Sequence, residues 1–478
     1  MELLRRIVSP ERVSWTIFSI ALLAHLIVFG SMLHLYGSSS FFLSTDGSLN
    51  GNDTQHYVII AKNLAEGHGY SRFATPPFEP DALRTPLLPL YFLPFVAAGG
   101  LGFIWFAMLL LNIVLAYTPV VLYKLARIFL PHHFALVAAL FLALEPLFLY
   151  RSQIAEPDAL LVLFIVSAIY FLVRSWRDAS PFDWYAAAAL LGISILAKPS
   201  ALYVAAIVLV AQLVFIGFFR SVEWKTEVMR FATGLCIVLL IISPWLIRNY
   251  AVFGVWGVSS ISGYNLYEYY TANERAPDEQ VPDYIQNGSR EPSRYLPFQK
   301  YFTQVALARI AHEPVAYAKD QAVGSLRNLF VSDLPAIYYY GHSRLLPFPY
   351  NPESKANVHE LLLKGDWQDT LRALVRDAPK LAWMSVLALV YMLALFGWCA
   401  AWRRDRRAFF AFTLFLALFA YCIAASGPFV DAKYRLPALP LVFLVALYGV
   451  NRLAGILPLH LGGNWYLMGH AKKEIQKT

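Results

Sequence analysis

The chain has 478 residues, of which 58% are hydrophobic and only 15% charged, against about 25% charge in soluble domains. That balance excludes a water-soluble globular protein and indicates a polytopic membrane protein. A formal charge of +8 invites a nucleic-acid reading, but the basic residues fall in short clusters between apolar runs, the placement that sets membrane topology.

Apolar runs of the roughly 17–25 residues that cross a bilayer are read at 15–36, 101–129, 133–150, 158–174, 184–198, 200–219, 231–247, 381–402, 408–426 and 437–455. The first is too long, with flanks unlike a cleavage site, for a removable signal peptide. Cys236, Cys399 and Cys422 all lie in apolar runs, so neither a disulfide framework nor a thiolate metal site is indicated. Pro86, Pro89 and Pro94 mark 86–98 as a juxtamembrane segment rather than an eleventh span. Arg5, Arg6 and Arg12, then Lys124 and Arg127, Arg174 and Arg177, Arg220 to Arg230, Arg403 to Arg407, and Lys472 to Lys477 recur at alternate ends of these runs. All land on one side, read as cytoplasmic, with both termini inside.

The expected fold is therefore an all-α polytopic membrane protein of about ten transmembrane helices. Its N-terminal module would span 1–247, including an outer loop at 37–100. An extracytoplasmic insert (248–380), C-terminal transmembrane helices (381–455) and a cytoplasmic basic tail (456–478) complete the division. Within the outer loop, 53–66 reads as a short amphipathic helix with Tyr57, Ile60, Ala61 and Leu64 on one face, suited to lying along the membrane surface.

The chemistry-bearing residues gather on the outer side. Asp53 is either that helix's N-cap or a general base for an acceptor hydroxyl or amine, and the two roles are compatible. Glu156 and Asp158 open the helix after Pro157, either as dipole-complementing acids or as acceptor or metal ligands. Glu145, inside an apolar run, is costly there and could pair with Arg151. Arg84, Lys198, Arg248, Lys433 and Arg435 sit at outer ends of spans, against the topological trend. Each alone reads as a snorkelling base, but together they suit a grip on a lipid phosphate, with Tyr434 as a further donor or an interfacial tyrosine. His56, one turn beyond Asp53, is a phosphate contact, a metal ligand or an ordinary loop histidine. No nucleotide fingerprint and no HExxH or paired-cysteine pattern is present. An acid at an acceptor and bases at a lipid phosphate point to group transfer from a lipid-phosphate carrier.

At these residues the sequence resembles the GT-C fold membrane glycosyltransferases, above all bacterial lipid A aminoarabinose transferases and, more distantly, protein O-mannosyltransferases. The matching stretches are DTQHYVIIAKNLAEGHGY (53–70), RTPLLPLY (84–91), AEPDAL (155–160), LAKPSAL (196–202), PWLIRNYAVFG (244–254) and KYRLPALP (433–440). The resemblance implies a polyprenyl-phosphate-linked sugar donor, transfer at the extracytoplasmic face of the plasma (inner) membrane, and Asp53 as catalytic base. Taken with it, the residues are read as Glu156 beside Asp53 in the catalytic group, positioning acceptor or metal, donor-phosphate binding by Arg84, Arg248, Lys433, Arg435 and Tyr434, and substrate contacts from His56, Tyr57, Asp158 and Lys198. No cofactor is certain. A divalent metal on Asp53, Glu156 and His56 stays open, since relatives differ on it. The acceptor, whether glycan, lipid or protein, is also open, because Thr54 stands where the family commonly has glutamate and no large soluble domain follows the last span. A lipid-linked sugar flippase would spread polar residues through the bilayer midplane and show repeated halves, and neither is seen. A polysaccharide polymerase or ligase would differ in using a diphosphate-linked donor.

Overall fold

The computed structural model describes residues 10–41, 52–219, 223–268, 281–331 and 367–455. The basic tail at 456–478, and parts of the outer loop and insert, lie outside the described residues. No β-strand occurs among those described. The N-terminal part runs through α1 (Pro10–Tyr36), α2 (Asn52–Ala65), α3 (Leu87–Gly99), α4 (Ile104–Leu115), α5 (Thr118–Phe129), α6 (His132–Leu144) and α7 (Pro146–Arg151). It continues with α8 (Asp158–Asp178), α9 (Pro181–Ala197), α10 (Ala201–Phe219) and α11 (Trp224–Phe253). The insert adds α12 (Ile261–Glu268), α13 (Asp283–Gln286), α14 (Gln299–His312) and α15 (Pro314–Phe330), and the chain returns through α16 (Trp367–Arg404), α17 (Arg406–Ala424) and α18 (Leu439–Ala454).

Seven helical stretches among the described residues are long and apolar enough to cross a membrane, and three apolar helices, α6, α9 and α18, are shorter. Two expected spans are interrupted. The 133–150 run breaks at Glu145, which precedes Pro146 and is extended (φ −66°, ψ 117°) while its carboxylate caps the amide of Phe148 at 2.5 Å. Proline disfavours helix at the residue before it and suits the first helical position after it. The 101–129 run is interrupted only by a turn at Ala116-Tyr117, ahead of Pro119, where both residues keep right-handed helical backbone. The segment placed beside the membrane, 86–98, forms α3 and joins α4 through a 3₁₀ turn, so that 87–129 is one helical stretch. α16 has 38 residues, or about 57 Å at 1.5 Å per residue, well beyond the ~30 Å hydrocarbon core.

α2 departs from its amphipathic pattern in one respect, since it keeps no wet face and is buried nearly all round: Thr54, His56 to Ala61 and Asn63 are all covered. α3 packs against it, and its polar side chains find partners in the outer loop and at Glu156. Asn63 Nδ2, for instance, donates to the carbonyls of Ser71 (2.7 Å) and Phe73 (2.9 Å).

Opposite ends of the helices carry different chemistry. α8 begins at Asp158 and ends beside Arg174, which faces Asp183 at 3.3 Å. α11 begins beside Arg230, paired with Glu227 at 2.8 Å, and ends beyond Arg248. The α16–α17 junction holds Arg403 to Arg407, at the far end of α17 from the turn carrying Lys433. α9 packs between α8 and α11, and α16 crosses α18 at close range through paired glycines. A methyl built on Gly449 would stand 2.4 Å from the Leu393 carbonyl, and one on Gly397 2.3 Å from that of Val445. Small residues permit such approaches in membrane bundles.

Gly449→Val should therefore lower the thermal midpoint of the purified protein, by a cost of about 1–3 kcal/mol for overpacking. Gly217→Ala, where an added methyl meets nothing within 4 Å, should leave the midpoint unchanged in the same melting experiment.

Candidate active site

Asp53 sits in the first turn of α2, with 43% of its side chain still accessible. Arg84 lies in the irregular segment before α3 and is buried. Its Nη2 forms a short ion pair with Asp53 Oδ1, and its Nε and Nη2 both lie 3.2 Å from His56 Nδ1. The guanidinium also stands 5.5 Å from the centre of the Tyr57 ring. Three residues of α2, one turn apart at most, thus converge on a single arginine brought in from 27 or more positions downstream.

The second acidic turn meets this group from another side. Thr54 Oγ1 donates to Glu156 Oε1 (2.9 Å), and Arg151 Nη1 lies 3.5 Å from Glu156 Oε2. Arg151 Nη2 in turn donates to Asp431 Oδ1 at 2.8 Å. Asp431 also accepts the Lys433 amide (2.8 Å) and stands 3.5 Å from Lys433 Nζ. Asp158, buried at the start of α8, pairs with Lys198 at the end of α9 across 2.5 Å. Asp53, Glu156, Asp158 and Asp431 are thereby matched by Arg84, Arg151, Lys198 and Lys433 at one end of the bundle.

Their environments drive the acids apart. Burial would raise the Asp53 carboxyl, but Arg84, Lys433 and Lys198 outweigh it and hold Asp53 below the ordinary carboxylate range. Burial also raises Glu156, and there Asp158 and Asp53 reinforce it against the opposing pull of Lys433 and Arg151, so Glu156 stays above the ordinary range. For Lys433, burial favours the neutral amine, yet Asp158, Glu156, Asp431 and Asp53 together keep it charged. His56 is lowered well below its usual value, first by burial and then by Arg84, Arg72 and Arg294, and is a neutral acceptor. Two carboxyls of one cluster pushed in opposite directions is the arrangement that divides base from acid.

Not every predicted cation reaches this group. Arg435 is 1% exposed and donates to the carbonyls of Asn328 (3.2 Å) and Val331, so it fastens the end of α15. Arg248 lies behind the Arg84 segment, donating to the Asp81 carbonyl (2.7 Å) and facing the rings of Tyr70, Trp245 and Phe253 at 4.9–5.2 Å. Tyr434 packs edge-on against Phe429, with Lys433 5.8 Å from its ring centre. Two contributors were not anticipated as such: Asp431, and Arg151 as its partner. Asp431 stands two residues before Lys433 in the same turn, which was the available signal. Asn328 of α15 holds that turn, its Oδ1 accepting the Asp431 amide (2.9 Å) and its Nδ2 donating to Ser426 Oγ (2.6 Å).

The set Asp53, Glu156 and His56 does not fit a divalent cation. Among the described residues no three acidic, imidazole or thiolate groups gather as a metal needs. The local reason is that Arg84 lies between Asp53 and His56 and takes the lone pair of Nδ1.

Replacing Arg84 by Gln removes the strongest attraction on the Asp53 carboxylate, leaving Lys433 and Lys198 against burial and the nearby Glu156. In the parent, protonation of Asp53 should cut the rate only below the usual carboxylate value of about 4. In Arg84→Gln the acid limb of kcat/KM against pH should move to higher pH. An unmoved limb would mean that Asp53 is not the titrating group.

Residues 84–247 match the family described as dolichyl-phosphate-mannose-protein mannosyltransferase. No curated protein matches the chain. Among solved structures it is similar to the apo oligosaccharyltransferase of Archaeoglobus fulgidus, at 16% identity and a TM-score of 0.48, with 93% of this chain and 51% of that one covered. It is also similar to the archaeal oligosaccharyltransferase AglB from Archaeoglobus fulgidus in complex with an inhibitory peptide and a dolichol-phosphate, at 14% identity and a TM-score of 0.49, with coverage of 94% and 52%. The chain thus spans about half the length of these structures. Across 84–247, from Arg84 through the second acidic turn to Lys198 and the body of α11, the chain carries the pattern of a membrane glycosyltransferase family, in agreement with the GT-C resemblance of its motifs.

Proposed function

We propose that the protein transfers a sugar from a polyprenyl-phosphate carrier to an acceptor hydroxyl or amine, with inversion at the anomeric carbon. The observation that carries this reading is the Asp53–Arg84 pair with Lys433 within electrostatic reach, at the end of an apolar bundle. A phosphate-gripping cation and an ionised carboxylate are adjacent there, beside the layer in which a lipid phosphate resides. The family matched by residues 84–247 is named for a dolichyl-phosphate-mannose donor, which supports a lipid-phosphate-linked sugar as the donor class. The clustering of Arg174, Arg177, Arg230 and Arg403–Arg407 at the opposite helix ends supports an extracytoplasmic site and cytoplasmic termini in the plasma membrane.

In the reaction the acceptor oxygen or nitrogen attacks the anomeric carbon and forms the new glycosidic bond. Its proton passes to the Asp53 carboxylate. The bond between the anomeric carbon and the phosphate oxygen breaks, and its electron pair leaves with the polyprenyl phosphate, whose added negative charge falls to Arg84 and Lys433. In the state seen here Arg84 is engaged by Asp53 and His56. A donor phosphate competes for the guanidinium, and as Arg84 turns to it, Asp53 loses its main stabilising partner and becomes a stronger base. Glu156, whose carboxyl burial and its acidic neighbours push upward, stands beside Asp53 to position the acceptor, and Tyr57, Asp158 and Lys198 line the same end of the bundle.

Asp53→Asn should reduce transfer by about 10²–10⁴-fold, the range of a lost general base, while retaining binding of polyprenyl phosphate. The assay is sugar transfer by purified protein in lipid nanodiscs, with polyprenyl-phosphate-linked sugars as donors and membrane lipid or glycan extracts as acceptors. Undiminished transfer by Asp53→Asn would remove the assignment.

A further inference from the structure

Arg84 stands in a segment with no helix of its own, so its place is set by what grips residues 81–84. The Asp81 amide donates to the Tyr70 carbonyl (2.8 Å), and the Asp81 carbonyl accepts Arg248 Nη1 (2.7 Å). The Ala82 carbonyl accepts the amide of Ser260 (3.1 Å), and that of Leu83 accepts Ser259 Oγ (2.6 Å). The Tyr70 hydroxyl donates to the Arg84 carbonyl (3.0 Å). Ser259 and Ser260 belong to the insert, so every carbonyl from 81 to 84 is held by the insert, by the end of α11 or by Tyr70.

The Asp81 side chain ties these grips together. It is fully buried, and its Oδ2 accepts the backbone amide of Arg84 at 3.1 Å. Its Oδ1 pairs with Arg72, also buried, whose second arm reaches Glu291 of the insert at 2.8 Å. Glu291 pairs in turn with Arg294 (3.2 Å), and Glu79 is bound by Ser289 Oγ (2.6 Å) and the Arg290 amide (3.0 Å). One carboxylate thus joins the insert, through Arg72, to the residue that holds Asp53.

We infer that Asp81 is a positioning residue: it transmits the docking of the insert to Arg84 and so sets where the Arg84 guanidinium meets a donor phosphate. This rests on the reading of Arg84 as a donor-phosphate ligand. A mere structural ion pair would stabilise the fold without acting through Arg84, and the two roles separate in a double-mutant cycle.

The experiment uses the full chain in nanodiscs and undecaprenyl phosphate as the probe, with dissociation constants read by native mass spectrometry. Parent, Arg84→Ala, Asp81→Asn and the double variant are compared. Asp81→Asn should weaken binding about tenfold, and in the Arg84→Ala background it should add less than about twofold, since coupled residues are not additive. Parent-like binding by Asp81→Asn beside a weakened Arg84→Ala overturns the inference while sparing the role of Arg84. Penalties that multiply in the double variant overturn it as well. Parent-like binding by Arg84→Ala removes the donor-phosphate reading and the inference with it. Should Asp81→Asn fail to fold, Ser259→Ala, which deletes only the hydroxyl on Leu83, carries the same cycle: weaker binding that vanishes in the Arg84→Ala background supports the inference, and unchanged binding overturns it.

Discussion

A charge removed from water must be matched, and at one end of this bundle that requirement organises everything else. Asp158, Glu156 and Arg84 are covered by protein. Stripping a partner from such a pair costs on the order of 3–5 kcal/mol, so each acid fixes a base and each base fixes the element carrying it. Arg84 anchors the pre-α3 segment to α2, Lys198 ties α9 to α8, and Arg151 ties the α7 end to the Lys433 turn. The helix ends are held in register by these pairs, while apolar packing and the Gly397–Gly449 crossing hold the bundle below.

The balance is also what makes the cluster chemically poised. Four acids and four cations gather, but their surroundings differ: Asp53 is held toward its charged form and Glu156 is pushed away from it. On the proposed function, an anion arriving at Arg84 and Lys433 would weaken their hold on Asp53 and shift the demand for a proton onto it. A fully satisfied network with no exposed member could not respond in that way. Asp53, nearly half accessible while its partner is buried, is the member at which the network opens.

Much of this could be read from residue order. Helical class, the apolar runs and their polarity follow from composition and from the position of the basic clusters, and Asp53, Arg84, Glu156, Asp158, Lys198 and Lys433 do meet. Their legibility comes from their cost: an acid or a base at the outer end of an apolar run has to be explained by something. Helix subdivision was less legible, because hydropathy does not register a backbone break such as Glu145-Pro146. The division of labour among the arginines was not legible at all. Arg84, Arg248 and Arg435 have the same local signature, and only the fold determines that Arg248 and Arg435 spend hydrogen bonds on the carbonyls of Asp81, Asn328 and Val331. Asp431 was missed for the converse reason, since an acid in a Gly-Pro turn looks like ordinary turn chemistry.

That division gives the insert a definite part. Arg248 and Arg435 each clamp a backbone segment next to a site cation, the first at Asp81 beside Arg84, the second at the α15 end, whose Asn328 holds the turn of Lys433. The two cations assigned to the leaving phosphate are therefore both held by groups of the insert or of the helix that leads into it, Ser259 and Ser260 on one side and Asn328 on the other. An insert that only capped the membrane module would have no reason to bind those two segments. Its contacts fall instead on the two segments that carry Arg84 and Lys433.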